Sequence, residues 1–299
     1  MVPNKMNSDF ACIQCNHATA KPFYMECEDF YLQKPYKVNY YRCDECGLVQ
    51  QSPVLSDVAS FYEAYPIHQK KSLMHRLMRQ WVMGGCYFQI RKFLAEKKQC
   101  LLIDLGCGDG GFLDSARDPK LILVGFEVNK NHAENLSNLL KVPIYSDDQA
   151  LLQNYEGRAD VVTMHFVLEH LTNLNGAFDT VQRLLKPEGI FFFSVPNISS
   201  WEARLFGKKW HNLDAPRHIS FPESESIRQL AKRWGFEVIR YQGIPFPNGV
   251  AGSLPVVLTG KFRFWLYLLC LPLGILLSRI SPDGNRAYSL RKRMLHSAK

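Results

Sequence analysis

The chain has 299 residues, enough for one large domain or two modest ones whose cores need no disulfide bonds. Apolar residues make up 46% and charged residues 21%, which argues against a disordered or fibrous chain. The net charge of +8 lies in the last third, because residues 1–200 carry 20 Lys and Arg against 22 Asp and Glu, whereas residues 201–299 carry 16 against 6. Any basic interaction surface is therefore expected in that third.

Two cysteine pairs characterise residues 1–55, which we predict to form a zinc-ribbon domain. Cys12-x-x-Cys15 and Cys43-x-x-Cys46 are 27 residues apart, and four thiolates at this spacing suit a tetrahedral structural Zn²⁺ site. Cys27 could replace one ligand, although a packed thiol is the simpler interpretation. The opening residues, MVPNKMNSDF, have no apolar stretch of the signal-peptide type, so we expect a reducing, cytoplasmic compartment.

The remaining chain divides into a predicted helical connector at 56–98, a domain at 99–243 and a final segment at 244–299. From Cys100, short apolar runs alternate with amphipathic stretches, which predicts a parallel sheet covered by helices. The predicted strands are 100–105, 121–127, 143–145, 159–165, 189–195 and 236–242, and the predicted helices are 110–117, 130–140, 174–185 and 223–234. Pro187 and Gly189 are expected to separate the third of these helices from the next strand.

A glycine-rich loop, LLIDLGCGDGGF, follows the first strand of this domain and precedes a helix. Such a loop lets a ligand approach the main chain, and its letters also satisfy the Gly-x-Gly-x-x-Gly pattern of dinucleotide sites. Asp104, just before the loop, would accept from a cationic amine but repel a pyrophosphate. Glu127, at the end of the next strand, could receive both hydroxyls of a ribose. No second mononucleotide-binding half follows.

With these features the chain resembles the class I S-adenosylmethionine-dependent methyltransferases. DLGCGDG, GFE, ADVVTMHFVLEHL and LLKPEGIFFFSVPN occur in the family's order within residues 99–243. The resemblance implies an α/β fold with a doubly wound, mostly parallel, seven-stranded Rossmann-like sheet, and S-adenosylmethionine as cofactor. It implies these contacts: Gly106, Gly108 and Gly110 around the methionine part, Asp104 at its amino group, Glu127 at the ribose, Asp147 or Asp148 at the adenine amine, and His165, also a candidate catalytic residue, near the sulfonium. For Asp147 and Asp148 a solvated turn is the alternative.

Two further strings extend the resemblance. YRCDECGLVQQSPV, followed by FYEAYP, is similar to the amino-terminal zinc-binding domain of sugar C-methyltransferases, in which the small domain helps to enclose the substrate. This implies a glycan-type acceptor. VLEHL is similar to a string in ubiquinone-type O-methyltransferases, but Phe166 stands where those enzymes have an acid that helps to hold a metal. This substitution argues against a divalent metal, and we interpret Glu169 and His170 as mainly structural, with a role at the pocket edge as the alternative.

The segment SSWEARLFGKKWHNLDAPRHISFPE, residues 199–223, lies over the acceptor site in the resembling family. His218 is the leading candidate for a general base, because an imidazole titrates near neutrality. Arg217 could bind an acidic or phosphorylated acceptor. Trp201, Trp210 and His211 could line the pocket, or form an aromatic cap on the sheet edge.

An apolar stretch dominates the last segment. Residues 264–277 contain no charged residue, but fourteen residues fall short of the roughly 20 that span a bilayer as a helix, and Pro272 and Gly274 interrupt them. We predict that 245–282 is an insertion before a final strand, NRAYSLRKR. Basic and aromatic residues flank it, which favours docking on an anionic membrane face. A buried core helix and a surface covered by a partner protein are the alternatives.

The sequence thus predicts a methyltransferase that uses S-adenosylmethionine on a small or lipid-linked acceptor, in glycan or cell-envelope biosynthesis. We expect a cytoplasmic protein without a nucleic-acid partner, with peripheral contact at the inner face of the membrane through 245–282. The alternatives are a quinone-like O-methyltransferase and a non-catalytic S-adenosylmethionine-binding scaffold that recruits glycan enzymes.

Overall fold

Two β-sheets organise the residues that the computed structural model describes, which are 10–54, 73–94 and 98–294. The first elements in chain order are β1 (Ala20–Glu28), β2 (Lys37–Cys43), β3 (Val49–Gln51), α1 (Leu73–Ile90), β4 (Cys100–Leu105), α2 (Gly111–Ser115), β5 (Leu121–Phe126), α3 (Lys130–Leu140), β6 (Ile144–Tyr145) and α4 (Asp148–Tyr155). They are followed by β7 (Ala159–His165), α5 (Leu174–Leu184), β8 (Leu185–Pro196), α6 (Trp201–Phe206), β9 (Ser220–Phe221), α7 (Ser224–Arg233), β10 (Phe236–Gly243), α8 (Asn248–Thr259), α9 (Phe264–Ile280) and β11 (Asn285–Lys292).

The larger sheet confirms the predicted α/β fold. Its order is β10-β11-β8-β7-β4-β5-β6, and only β11 runs antiparallel to its neighbours. Strand β7 is almost wholly buried, as expected where helices cover both faces of a parallel sheet. The chain winds from β4 through β5 to β6 on one side and returns through β7 to β8 on the other. This reversal opens a crevice at the carboxyl ends of β4 and β7.

Several element boundaries differ from the predictions, most of them by one residue. Strand β8 begins at Leu185 rather than 189, so Pro187 and Gly189 lie inside it. The register explains this difference, because Ala159 pairs with Leu185 while Val161 pairs with Ile190, and the extra residues form a bulge. Helix α2 ends at Ser115, and α4 was not predicted. Of the connector at 56–98, α1 is described, and 56–72 and 95–97 lie outside the described residues.

The smaller sheet joins the amino-terminal segment to the rest of the molecule. Its order is β1-β2-β3-β9, and β9 lies within residues 199–223, the segment expected over the acceptor site. Val49 pairs with Phe221 and Gln50 with Ser220. A domain boundary near residue 55 stays a prediction, and the sheet continues across it.

Two packed helices, α8 and α9, occupy the predicted insertion between β10 and β11. Helix α9 runs unbroken through Pro272 and Gly274, which were expected to interrupt it. Gly274 allows the close contact with α8, because a Cβ there would lie 2.6 Å from the Pro247 carbonyl oxygen. Among the described residues, no helix has the combined length and apolarity needed to cross a membrane.

Candidate functional site

The glycine loop lies at the crevice formed by the carboxyl ends of β4 and β7. Gly106 and Gly110 adopt φ angles of +72° and +74°, in the left-handed region that side chains disfavour. A Cβ on Gly110 would lie 2.6 Å from Leu140 Cδ1, and a Cβ on Gly106 would lie 2.6 Å from a methyl of Val167. Gly108 has a φ of +53°, and a Cβ there would meet nothing closer than 4.0 Å. The loop is therefore packed at both ends and open at Gly108.

Two buried carboxylates flank this open position. Asp104 accepts a 2.6 Å hydrogen bond from the Thr163 hydroxyl, and burial raises the pKa of Asp104 to about 7. Glu127 accepts from the Gly108 N–H through Oε2 and from the Asn129 N–H through Oε1, each at 3.2 Å. The loop thus fixes Glu127 next to the space above Gly108.

The donor set fits the predicted cofactor. A buried carboxyl group with a raised pKa gains from a cation, and Asp104 would meet the ammonium of S-adenosylmethionine. Glu127 offers acceptors for ribose hydroxyls. Because Gly108 has no side chain and has free space above it, the methionine part can lie against the main chain there.

His165 ends β7 and faces the same crevice. Its Nδ1 lies 3.0 Å from the Ser194 hydroxyl, and its buried Nε2 has no hydrogen-bond partner. Burial, with a smaller contribution from Arg79, lowers the pKa of His165 to about 3, so the ring is neutral at pH 7. Next to it, Phe166 has a φ of +58° and stacks on Phe246 at the start of the insertion. An aromatic pair therefore connects the crevice with the base of the insertion.

The two candidate adenine contacts are exposed. Asp147 caps α4, because its Oδ2 accepts a 3.0 Å hydrogen bond from the Ala150 N–H. Asp148 lies in the first turn of that helix. This capping hydrogen bond gives the Asp147 carboxylate a structural role that needs no ligand. The adenine contact of either residue stays a prediction.

His218 belongs to a cluster with Glu169, which is buried, and His170, which like His218 is half-buried. One ligand atom of each lies within 4.8 Å of the others, so the cluster could hold a metal ion. Both Glu169 oxygens lack a partner, and burial raises the pKa of Glu169 to about 8. Burial, followed by the neighbouring His170, lowers the pKa of His218 to about 3. Glu169 and His170 were expected to be mainly structural, and their grouping with His218 is visible only in the fold.

Arg217 does not fit the predicted acceptor contact. Its guanidinium is fully buried and makes a bidentate ion pair with Asp29, with distances of 2.8 and 3.0 Å. It also donates to Asp214, at 2.6 Å from Nη2 and at 3.0 Å from Nε. These ion pairs join Asp29, which follows β1, to the turn before β9. Because two carboxylates already bind the guanidinium, its charge is not presented to an acceptor.

The aromatic candidates fall into two places. Trp210 is buried and, with His211 and Arg217, lines a small pocket between the amino-terminal segment and α8. The lining of this pocket contains no residue of the glycine loop. Trp201 begins α6 and is half-buried. The roles of Trp201, Trp210 and His211 in acceptor binding stay predictions.

The four predicted zinc ligands converge. The sulfur atoms of Cys12, Cys15, Cys43 and Cys46 lie within 4.8 Å of one another. The Cys12–Cys46 and Cys15–Cys43 distances are 3.5 and 3.6 Å, close to the edge of about 3.8 Å expected for a tetrahedron with Zn–S bonds near 2.3 Å. The cluster is therefore compatible with Zn²⁺, which these four cysteines would hold as a closed structural site. Cys27 packs in a separate apolar cluster.

Arg79 on α1 was missed by the sequence analysis. Its Nε lies 2.6 Å from Asp109 Oδ1 in the glycine loop, and its Nη2 is the side-chain atom 4.0 Å from the Cβ position of Gly108. The sequence offers one signal, an arginine in the connector before the loop, but several basic residues share that segment.

Comparisons with known proteins match this chain to a methyltransferase family. Residues 78–241 match a family model described as a methyltransferase domain. The ubiquinone biosynthesis O-methyltransferase of Histophilus somni is 26% identical over an alignment of 157 residues that covers 48% of this chain and 61% of that protein. The juvenile hormone acid O-methyltransferase of Drosophila melanogaster is 26% identical over an alignment of 175 residues that covers 48% of this chain and 59% of that protein. This chain thus spans about three fifths of the length of these curated relatives.

A solved structure shares the fold. The phosphoethanolamine N-methyltransferase 2 of Haemonchus contortus, in complex with S-adenosyl-L-methionine, superposes with a TM-score of 0.51 at 17% identity. The alignment covers 82% of this chain and 62% of that protein.

Proposed function

Since the chain belongs to the methyltransferase-domain family, we propose that it is an S-adenosylmethionine-dependent methyltransferase that acts on a small or lipid-linked acceptor in glycan or cell-envelope biosynthesis. The observation that carries this proposal is the position of the crevice. The Phe166–Phe246 stack connects it with the base of an insertion whose outer face is apolar. An acceptor with a polar head and an apolar tail would find a complementary surface for each part.

The proposed mechanism assigns simple tasks to the protein. When bound, S-adenosylmethionine supplies an electrophilic methyl group. Asp104 would orient its ammonium and Glu127 would hold its ribose, so that the bound cofactor would present the methyl group to the acceptor. A base of this chain would take the proton that the acceptor gives up.

His218 is the proposed base. Its Nδ1 lies 2.8 Å from the Asn212 carbonyl oxygen, which can only accept, so Nδ1 carries the hydrogen and Nε2 carries the lone pair. Asp214 Oδ2 lies 3.9 Å from Nε2 and would stabilise the imidazolium as it forms. The lowered pKa keeps the lone pair available at neutral pH, although it also makes the imidazole a weaker base.

The test uses S-adenosylmethionine with a labelled methyl group. The purified protein is incubated with lipid and aqueous extracts of cells that lack it, and the labelled product is identified by mass spectrometry. Label in a lipid-linked or free glycan supports the proposal, whereas cofactor binding without transfer to any fraction supports the scaffold. His218→Ala should lose turnover while it keeps cofactor affinity, with half-buried His17→Ala, whose ring contacts the Thr19 hydroxyl, as the control. Full turnover of His218→Ala would refute the base assignment.

A quinone-like acceptor is the second candidate. It is favoured by the relatives, because one is named a ubiquinone biosynthesis O-methyltransferase and another, 24% identical over 183 residues, a demethylmenaquinone methyltransferase of Leptospira interrogans. In the same assay, label in the quinone fraction alone would select this candidate over the glycan.

We also propose that the insertion contacts an anionic membrane surface. One face of α9 exposes a row of large apolar side chains at helical spacing: Trp265, Leu269, Leu273, Leu276 and Ile280. Lys261, Arg263 and Arg279 lie around this face, and each basic residue near an anionic surface contributes about 1 kcal/mol of attraction. The Arg279 guanidinium lies 5.3 Å from the ring centroid of Trp81, which extends the surface to α1.

Flotation with vesicles of phosphatidylcholine, with and without phosphatidylglycerol, tests this contact. The intact chain should float with the anionic vesicles and lose binding at high salt. Leu269→Asp with Leu276→Asp should remain at the bottom of the gradient. Leu139→Asp, at an exposed leucine of α3, is the matched control. Equal recovery of the double variant and the intact chain would refute membrane docking, and loss of a dimer in the double variant by light scattering would indicate a partner copy instead.

A further inference from the structure

Gly108, the open position of the glycine loop, is held by hydrogen bonds on both sides of its Cα. Its N–H donates to Glu127 Oε2 at 3.2 Å, and its carbonyl oxygen lies 2.8 Å from His132 Nε2. A carbonyl oxygen can only accept, so Nε2 of the imidazole carries the hydrogen and donates it. His132 lies in the first turn of α3 and is half-buried.

The main chain at Gly108 depends on these hydrogen bonds, because side-chain packing does not fix it. The Gly110 N–H donates to the Cys107 carbonyl oxygen at 2.9 Å, so Gly108 is the first central residue of a β-turn. Glycine adopts either sign of φ at such a position, and a Cβ there would meet nothing closer than 4.0 Å. The hydrogen bond from His132 therefore fixes the direction of the Gly108 carbonyl.

The same histidine is connected to the ribose carboxylate through the start of α3. Asn129 caps this helix, because its Oδ1 accepts a 3.0 Å hydrogen bond from the His132 N–H. The Asn129 N–H in turn donates to Glu127 Oε1 at 3.2 Å. Hydrogen bonds thus close a ring through Glu127, Asn129, His132 and Gly108. This ring fixes the distance between the two places that one cofactor molecule would contact together, the ribose at Glu127 and the methionine part at Gly108.

We propose that His132 is a positioning residue, whose imidazole holds the Gly108 main chain where the methionine part of the cofactor lies while Glu127 holds the ribose. This inference rests on the proposed function, which places S-adenosylmethionine in the crevice. Groups that bind one ligand together must be held within about 0.5 Å of the productive geometry. Loss of the imidazole donor should therefore weaken the contacts to the methionine part and spare those to the ribose.

The test compares two ligands that share the adenine and the ribose. S-adenosylhomocysteine also carries the amino-acid part, whereas 5′-methylthioadenosine ends at a methyl group on the sulfur. His132→Met removes the donor but keeps much of the side-chain volume and a good helix former. It should weaken binding of S-adenosylhomocysteine about 3- to 10-fold in calorimetric titration, because one hydrogen bond is lost, and binding of 5′-methylthioadenosine less than about twofold. His132→Gln, whose amide N–H has a similar reach, should restore the affinity for S-adenosylhomocysteine to within about twofold of the native value.

A neighbouring variant and the native chain separate the outcomes. Asn131→Ala, at the exposed residue before His132 on α3, is the control and should bind both ligands as the native protein does. The positioning role is overturned if His132→Met leaves binding of S-adenosylhomocysteine unchanged, weakens both ligands equally or fails to fold, or if His132→Gln restores nothing. A native chain that binds neither ligand would refute the proposed function itself, whereas native binding without an effect of His132→Met would refute the positioning role alone.

Discussion

The buried ion pairs of Arg217 make a strong prediction about stability. Arg217 is fully buried between Asp29, which is 2% exposed, and Asp214. Arg217→Met removes the positive charge while it keeps most of the side-chain volume. Two carboxylates would then remain in the interior without the guanidinium that neutralises them.

The structure sets the size of the effect. Burial by itself would raise the pKa of Asp214, but the charge of Arg217 and its hydrogen bond lower it from the usual 3.8 to about 2. This difference corresponds to about 2 kcal/mol at pH 7, and it is present above pH 4 and lost as the pH falls through 2. Removing one partner of a buried pair costs about 3–5 kcal/mol, which includes the stranded Asp29. We therefore expect Arg217→Met to lower the free energy of unfolding by about 3–5 kcal/mol at pH 7.

Urea denaturation followed by circular dichroism measures this change. The matched control is Arg228→Met, whose ion pair with Glu225 is exposed and should be worth less than about 1 kcal/mol. Adding Asp29→Asn to Arg217→Met should recover part of the loss, because one stranded charge disappears. A loss below about 1 kcal/mol for Arg217→Met, or no recovery in the double variant, would refute the argument.

Three more predictions concern the cofactor loop and the cysteines. Binding of S-adenosylhomocysteine at pH 6 should release a proton, because Asp104 has a pKa of about 7 in the unliganded protein and the ammonium favours the charged carboxylate. The affinity should therefore fall as the pH drops below 7. A binding enthalpy that does not depend on the ionisation enthalpy of the buffer would contradict this. Gly110→Ala should lower the free energy of unfolding by about 2–4 kcal/mol, because φ is positive there and the new Cβ would collide with Leu140. Gly157→Ala is the control: its φ is also positive but its Cβ would meet open space, so the loss should be about 1 kcal/mol. Equal losses in the two variants would contradict the steric explanation. Cys46→Ser should lower the zinc content measured by mass spectrometry, whereas Cys270→Ser should retain it, and an unchanged zinc content in Cys46→Ser would contradict the four-cysteine site.

Local patterns in the sequence predicted many elements of the fold. The alternation of apolar runs and amphipathic stretches predicted β4, β7 and α3 with the observed bounds or nearly so. The spacing within each cysteine pair predicted a four-cysteine site, and the fold brings the four sulfur atoms together. These features depend on neighbours a few residues apart, which the sequence displays directly.

Contacts between distant residues could not be predicted in this way. Arg217 was expected to face a ligand, because nothing in its neighbourhood shows that Asp29, 188 residues earlier, occupies its guanidinium. Arg79 was missed for the same reason, since its approach to the glycine loop depends on how α1 packs against α2. The bulge in β8 was also not predicted, because Pro and Gly, here Pro187 and Gly189, are more often found outside a strand than inside one.

The pairing of β3 with β9 limits where this protein can be truncated or recombined. Gln51 Nε2 donates to the carbonyl oxygens of Pro216 and His218, at 2.7 and 2.9 Å, so the amino-terminal segment supports the backbone on both sides of Arg217. A truncation before α1 would remove these donors together with β3, leaving β9 as an unpaired edge. The amino-terminal segment and the segment around β9 should therefore be exchanged together. A chimera that replaces the cysteine-bearing segment should also replace residues 214–221.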